Sequence, residues 1–185
     1  MRVTATVERE IKLRFNTADA ARAAILAAGG TPLRGRRLQE DCLLDTDDEQ
    51  LRRRLAALRI RMESGKSFVT FKGPVQPSIA RVREELETIV NDGSMLVQIL
   101  EALGFTVWFR YEKYREEFAV DDVIVAIDET PVGTFVEIEG GDRGIAETAE
   151  ALGRGPSDYL LDSYRRLYIE DCEARGVAVG DMLFE

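Results

Sequence analysis

Three charged residues near the start of the chain have types and a spacing that could do chemistry. Glu8, Glu10 and Lys12 lie two positions apart in the run Val-Glu-Arg-Glu-Ile-Lys-Leu. Side chains two apart on a β-strand point to the same face, so two carboxylates and an ammonium would stand in a row. The carboxylates suit a divalent cation and the lysine suits a phosphate. For this triplet alone, the alternative is an amphipathic strand with a solvated charged face.

The same period of two recurs in five later segments, where polar residues alternate with mainly apolar ones. Such a period predicts half-buried strands. So many charged faces in a small chain suggest that they converge inside a sheet closed into a barrel. A charged lumen cannot stay dry and unpaired, so it should hold water, ions, or an anionic ligand with its metals. The polar members are Arg59 and Arg61; Thr70 and Lys72; Arg81, Arg83, Glu85 and Glu87; Lys113, Arg115 and Glu117; Glu137 and Glu139.

The composition excludes several classes of site. The net charge of −9 argues against non-specific nucleic-acid binding, although it allows a basic pocket within an acidic exterior. The chain has no histidine, which excludes histidine-based triads and histidine–metal sites. A metal must therefore be held by oxygen ligands, which favours Mg²⁺ or Mn²⁺ as the cofactor.

The chain also lacks signals for a membrane or an oxidising compartment. No apolar run is long enough for a membrane helix, and the N-terminus has no apolar stretch typical of a secretion signal. Cys42 and Cys172 fit no metal spacing, so a reducing setting is the simplest interpretation. We expect a cytoplasmic protein with no membrane partner.

One domain over residues 1–175, followed by a tail at 176–185, accounts for the pattern, since no linker interrupts it. The periodicity and the turn signals predict strands over residues 3–14, 37–45, 58–63, 67–72, 79–88, 105–119, 122–129 and 133–140. Helices are predicted over residues 18–28, 48–56, 145–152 and 159–174, with another running from the turn at 91–94 to residue 103. These helices would cover the outward-facing apolar residues of a barrel.

Taken in order, the motifs resemble the CYTH family, the triphosphate tunnel metalloenzymes, over about residues 5–170. Within it, the chain is most similar to the class IV adenylate cyclase (CyaB-like) group. Two departures are visible: Cys42 and Leu44 stand where this group usually has an aromatic pair, and a tyrosine that acts beside a lysine in some members has no assigned counterpart. The matching motifs are Glu8-Arg9-Glu10-Ile11-Lys12, Leu58–Arg61, Thr70–Pro74, the strand with Arg83, Glu85 and Glu87, Glu112–Arg115, Asp128 and Gly133–Glu139.

The resemblance implies an α+β fold: a closed antiparallel barrel of about eight strands with helices outside, whose lumen binds a triphosphate with Mg²⁺ or Mn²⁺. It makes Glu8, Glu10 and Glu139 the main metal site, with Glu137 beside them. Asp128, with Glu85 or Glu87, would either hold a second metal ion or form ion pairs with arginines in the lumen. The triphosphate cradle would be Lys12, Arg59, Arg61, Lys72, Arg83, Lys113 and Arg115, some of them paired with carboxylates; Arg81 is the weakest candidate. Crowding by cations should lower the pKa of Lys12 or Lys72, making either a candidate catalytic base.

Three functions stay open at this stage. The first is a class IV adenylate cyclase-like enzyme, which converts ATP to cyclic AMP and pyrophosphate. The second is a triphosphatase acting on inorganic, nucleotide or thiamine triphosphate, and the third is a non-catalytic triphosphate-binding module. A homodimer is plausible in this family.

Several aromatic and basic residues have two interpretations. Trp108 and Tyr111 could stack on a base, although packing in a core or interface is favoured. Tyr164, on the last predicted helix, is expected at a tunnel mouth or against the barrel wall. The run Arg52-Arg53-Arg54 is interpreted as solvated surface, because three adjacent residues do not share one helix face.

Overall fold

Eight strands close into one antiparallel barrel in the computed structural model, which describes residues 6–185. The strands are β1 (Thr6–Phe15), β2 (Thr31–Thr46), β3 (Ala57–Glu63), β4 (Lys66–Lys72), β5 (Arg81–Val90), β6 (Phe105–Val120), β7 (Val123–Thr130) and β8 (Gly133–Glu139). Around the barrel their order is β1-β5-β4-β3-β2-β6-β7-β8, and β8 pairs with β1 to close it. The helices are α1 (Ala18–Ala27), α2 (Gln50–Arg53), α3 (Gly93–Ala102), α4 (Asp142–Ala151) and α5 (Tyr164–Arg175). The predicted fold class is confirmed.

The apolar side of the sheet faces outward, as the alternation requires. On β1, Ile11 and Leu13 are buried beneath α1 and α4, where they join Ile25 and Ile145 in the main hydrophobic cluster. The alternate residues Glu8, Glu10 and Lys12 face the lumen. The helices therefore bury the apolar faces that an inside-polar barrel would otherwise leave in water.

Helix capping follows local sequence. The Thr17 side chain accepts a hydrogen bond from the Ala20 N–H at 3.1 Å and begins α1, as predicted. Asp92 caps α3 in the same way through the Met95 N–H at 2.8 Å. The α3 helix lies over β3, β4 and β6, so it covers the part of the barrel that α1 and α4 leave open.

Strand β2 is much longer than the predicted residues 37–45. It begins at Thr31 and pairs along its length with the equally long β6, with register shifts between Pro32 and Arg34 and between Arg34 and Arg37. Pro32 and Gly35 conceal the strand pattern there, because both residues disfavour regular strands. The cross-strand pairing with β6 overrides that local preference.

Two helices are shorter than predicted. The second ends at Arg53 rather than residue 56, and Leu55 adopts a left-handed backbone with φ of 55° before β3 begins. The last helix begins at Tyr164 rather than residue 159, after one 3₁₀ turn at Pro156–Asp158. The intervening Leu160 instead exchanges two backbone hydrogen bonds with Lys12, at 2.9 and 3.1 Å. Residues 3–5 of the predicted first strand lie outside the described residues.

The C-terminal segment, residues 176–185, packs against the barrel. The Met182 N–H donates to the Arg110 carbonyl and the Met182 carbonyl accepts from the Glu112 N–H, each at 2.9 Å. Strand β7 pairs with β6 only from Tyr114 onward, so this segment supplies partners to the β6 edge that β7 leaves free. None of the helices in residues 6–185 is long and apolar enough to cross a membrane.

The inverted barrel makes the outer face of β1 a stability determinant. We expect Leu13→Ala to lower the free energy of unfolding by about 2 to 5 kcal/mol, because it opens a cavity in a packed cluster. Leu13 is 0% exposed, whereas Leu103 at the end of α3 is 71% exposed. The control Leu103→Ala should change stability by no more than about 0.5 kcal/mol. Urea unfolding measures both; equal, small effects would contradict the inverted arrangement.

Candidate active site

The barrel encloses a cavity of about 580 Å³ into which the charged faces of the strands converge. All seven cations predicted for a triphosphate cradle line it, on five different strands. Acidic side chains from β1, β5 and β8 line the same space. The cations are Lys12, Arg59, Arg61, Lys72, Arg83, Lys113 and Arg115, and the predicted acidic ligands among the lining residues are Glu8, Glu10, Glu85, Glu137 and Glu139.

Glu8 lies between two cradle cations where β1 meets β5. Lys72 Nζ is 2.6 Å from Glu8 Oε1, and Arg83 Nε is 3.0 Å from Glu8 Oε2. Burial alone would raise the pKa of Glu8, but Lys72 and Arg83 outweigh it and lower that pKa to about 2. Lys72 also binds Glu85 at 2.8 Å. Glu8 is thus an anion at neutral pH.

The two lysines proposed as bases differ in their surroundings. The pKa of Lys72 is lowered, first by burial and then by Arg59, which Glu8 offsets only in part. The pKa of Lys12 is raised, because Glu10 at 3.0 Å and Glu137 at 3.2 Å outweigh its burial. The expected lowering is therefore found at Lys72 and is wrong for Lys12. A charged Lys12 is suited to binding an anion.

Asp128 shares the Arg115 guanidinium with Glu137, but it is not among the residues that line the cavity. Its side chain is fully buried in the barrel wall, where Lys113 and Arg115 donate to it at 2.6 to 2.7 Å and the Tyr164 hydroxyl donates at 2.7 Å. Burial first, and then Arg115, lower the pKa of Lys113 to about 8, although Asp128 opposes the shift. This arrangement does not support Asp128 as a metal ligand, since its carboxylate is fully buried against two cations and a tyrosine hydroxyl and does not line the cavity.

Three contributors to the lumen were not assigned their role from sequence. Asp41 on β2 accepts hydrogen bonds from Nε and Nη2 of Arg61 at 2.9 and 3.1 Å. Gln39 and Asp41 are two residues apart on a strand, and this spacing could have indicated that both face the lumen. Arg81, the weakest candidate, binds Glu10 at 3.3 Å. Tyr164 was expected at a tunnel mouth or against the barrel wall, and it lines the cavity. Its hydrogen bond to Asp128 was not predicted.

The seam between β1 and β8 offers oxygen donors that fit a divalent cation. Glu10 and Glu139 are cross-strand neighbours, and within residues 6–185 Glu139 makes no ion pair. Burial of its carboxyl group, and then the charges of Glu8, Glu10 and Glu137, raise the pKa of Glu139 to about 7. Among the described residues no three acidic side chains form a ready-made metal site, because cations occupy Glu8, Glu10 and Glu137. The oxygen-only donor set suits Mg²⁺ or Mn²⁺.

Comparison with known proteins agrees with this architecture. The CYTH domain family model matches residues 6–171, and the chain belongs to the CYTH domain family. A protein of Methanocaldococcus jannaschii named "Putative adenylate cyclase" is 36% identical over 118 residues, which are 63% of this chain and 67% of the relative. The predicted family is confirmed.

Solved structures share the fold. A "putative adenylate cyclase" from Vibrio parahaemolyticus superposes with a TM-score of 0.76 at 20% identity, covering 89% of this chain and 98% of that one. A "putative adenylyl cyclase" from Hippeastrum, described as having a dominant triphosphatase activity, gives 0.63 at 19% identity, covering 95% and 98%. At such identities the likeness supports the fold alone.

The raised pKa of Glu139 predicts that metal binding is coupled to proton release. Below about pH 7 this carboxyl is mostly protonated, so a bound cation must displace its proton and affinity should fall as the pH falls. Titration of Mn²⁺ into weakly buffered protein should release about one proton per ion near about pH 6 and far less near about pH 8. Glu139→Gln should abolish the release; the same release from that variant would contradict the assignment.

The buried position of Asp128 predicts a structural role. Asp128→Asn should lower the free energy of unfolding by about 3 to 5 kcal/mol, because it leaves Lys113 and Arg115 buried with a weaker partner. Glu85→Gln, at a carboxylate that lines the cavity, is the matched control and should cost much less. If Asp128→Asn left denaturant stability unchanged and altered only metal affinity, the metal-ligand role would be restored.

Proposed function

We propose that this chain is a divalent-metal-dependent enzyme that binds the phosphate chain of a triphosphate in the barrel lumen and breaks one of its phosphoanhydride bonds. The observation that carries the proposal is a single cavity lined both by lysines and arginines from five strands and by carboxylates from β1, β5 and β8. Guanidinium groups bind phosphate oxygens two at a time, and lysine adds a compact charge.

An exchange of partners would make room for the ligand. In the structure each cradle cation is held by a carboxylate, yet the buried Nε of Arg59 has no hydrogen-bond acceptor. We infer that phosphate oxygens replace the carboxylates around Lys12, Lys72 and Arg83. The released Glu8 and Glu10, with Glu139, would hold Mg²⁺ or Mn²⁺, which when bound supplies charge neutralisation at the phosphate oxygens.

Cyclisation of ATP is the leading reaction. In it the ribose 3′-oxygen bonds to the α-phosphorus, the bond from that phosphorus to the bridging oxygen breaks, and pyrophosphate leaves. The 3′-hydroxyl proton needs an acceptor, and the neutral amine of Lys72 is our candidate, because the lowered pKa of Lys72 makes that form more accessible. Positioning and charge neutralisation, which the cradle would provide, dominate such reactions. The 36% identity over 118 residues to the Methanocaldococcus jannaschii protein named "Putative adenylate cyclase" supports this choice.

Triphosphate hydrolysis is the second candidate. Water would attack the terminal phosphorus, and the polar lumen, at about 580 Å³, has room for water beside a phosphate chain. Hydrolysis also needs no placement of a ribose. Inorganic, nucleotide and thiamine triphosphates are the candidate substrates. A binding module without turnover is disfavoured, because the cavity also contains Glu139, which pairs with no cation within residues 6–185 and so adds nothing to anion binding alone.

Product analysis distinguishes these reactions. The protein is incubated with ATP, inorganic triphosphate or thiamine triphosphate, each with Mg²⁺ and with Mn²⁺. Cyclic AMP and pyrophosphate from ATP would establish the cyclase. Orthophosphate, released fastest from inorganic triphosphate, would establish the triphosphatase. Tight triphosphate binding with no product from any of the three would overturn both enzymatic proposals.

Glu10 provides a sharper test of the proposed metal role. Glu10→Ala should reduce kcat by about 100-fold or more, because a ligand of the charge-neutralising ion is lost. The affinity for triphosphate measured without metal should hold or rise, since Lys12 and Arg81 lose a competing carboxylate. Glu87→Ala, which removes a lumen carboxylate near Arg59, is the control and should keep most of the turnover. Full activity of Glu10→Ala would refute this assignment.

A further inference from the structure

The charged cavity continues at one end into an apolar and aromatic rim. Leu43 lies opposite Arg59 on β3 and opposite Phe109 on β6, and Ala57 lies opposite Lys72 on β4. These residues and Trp108 line the same cavity as the cradle. The rim therefore lies directly beside cations proposed to bind the phosphate chain.

Trp108 is placed on this rim by an irregularity in the sheet. The register of β2 against β6 shifts between Leu43, which pairs with Phe109, and Leu44, which pairs with Val107. Trp108 consequently has no cross-strand partner, and such a bulge redirects a side chain. The residue is half-buried rather than part of the closed core. Trp108 packs against a hydrophobic cluster, as the favoured interpretation predicted, but it also lines the cavity.

Two guanidinium groups face the Trp108 ring. Arg52 on α2 lies 4.4 Å and Arg165 on α5 lies 4.7 Å from the ring centroid, and Arg165 also lies 4.9 Å from the centroid of Phe109. The interpretation of Arg52 as solvated surface is thus wrong, because the fold directs it to the cavity rim. Asp45 holds it there, accepting from the Arg52 N–H at 3.0 Å and from its Nε at 3.2 Å.

Arg165 differs from the lumen cations in its partners. Within residues 6–185 it forms no ion pair, and it borders the cavity together with the exposed Leu55. One face of its guanidinium packs on the Trp108 and Phe109 rings, so a ligand with a flat ring would stack on the opposite face. Aromatic and guanidinium planes are the surfaces on which proteins stack nucleobases.

We propose that the rim formed by Trp108, Arg52 and Arg165 binds the nucleobase of a nucleoside triphosphate whose phosphate chain lies in the lumen; this inference rests on the function proposed above. The rim also selects among the candidate substrates. Inorganic triphosphate has no ring to stack. Thiamine triphosphate carries a positively charged thiazolium ring, which Arg165, the rim arginine without an ion pair within residues 6–185, repels. The substrate class is therefore nucleoside triphosphates.

Trp108 is the single tryptophan of the chain, so its fluorescence reports on the rim. The protein with Mg²⁺ is titrated with a non-hydrolysable α,β-methylene analogue of ATP and with inorganic triphosphate. Stacking should quench the fluorescence with the analogue but not with inorganic triphosphate. Displacement of one ligand by the other, followed by calorimetry, tests whether both occupy the lumen.

Substitutions assign the effect to the rim. Trp108→Leu should weaken binding of the ATP analogue by about tenfold, the loss expected for one stacking contact, and leave inorganic triphosphate unaffected. Trp108→Phe should restore most of the affinity. Arg165→Gln should weaken binding of the ATP analogue and strengthen binding of thiamine triphosphate. This test does not depend on whether a tryptophan variant folds.

The outcomes separate the two proposals. If inorganic triphosphate and the ATP analogue bind equally, compete, and leave the fluorescence unchanged, the rim proposal is overturned while the lumen proposal stands. If neither ligand binds in the presence of Mg²⁺ or Mn²⁺, the proposed function fails and the rim proposal fails with it. A tenfold effect of Trp108→Leu on both ligands alike would also overturn the rim proposal, since it would indicate general distortion of the cavity.

Discussion

The structure depends on the cross-pairing of charges inside the barrel. An ionised side chain taken out of water costs several kcal/mol unless a partner and hydrogen bonds replace the solvent. Glu8 meets this requirement with Lys72 and Arg83, and Lys12 meets it with Glu10 and Glu137. These pairs permit a polar lumen, and the polar lumen in turn sends most of the apolar residues that alternate with the charged ones to the outside. The helices are then obligatory, because they remove that outer apolar surface from water.

Closure of the sheet and assembly of the site are the same event. The pair of Arg83 with Glu8 joins residues 75 positions apart, and β1 also meets β8 near the far end of the chain. Most of the charge pairs in the lumen join different strands, although Lys12 also binds Glu10 on its own strand. A partly formed sheet would therefore leave many of these charged side chains without their partners, whereas the closed barrel pairs them. Register accuracy at the β1–β5 and β1–β8 seams thus governs stability and the geometry of the site together.

The sequence predicted the strands, the inside-polar barrel and the identity of most lumen residues, because a period of two fixes which side chains share a face. It could not predict which carboxylate meets which cation, since that depends on register between distant strands. Asp128 and Lys12 show the consequence: one is enclosed in the wall with Tyr164, and the other has its pKa raised rather than lowered. The position of Arg52 was missed for a related reason, because a short helix is directed by Asp45 and not by its own periodicity.

A self-neutralised lumen has a consequence for what the proposed site can accept. A polyphosphate entering alone would take the cations and leave Glu8 and Glu10 buried without partners, and a metal ion entering alone would strand Lys12 and Lys72 in the same way. Only a ligand pair of both signs restores full pairing, so metal and polyphosphate should favour one another's binding, and linkage makes that preference reciprocal. The rim around Trp108 lies outside this exchange, because Arg52 keeps its own partner in Asp45. On the proposed function, the lumen would then recognise the charged chain of the substrate, and the rim would decide which group that chain may carry.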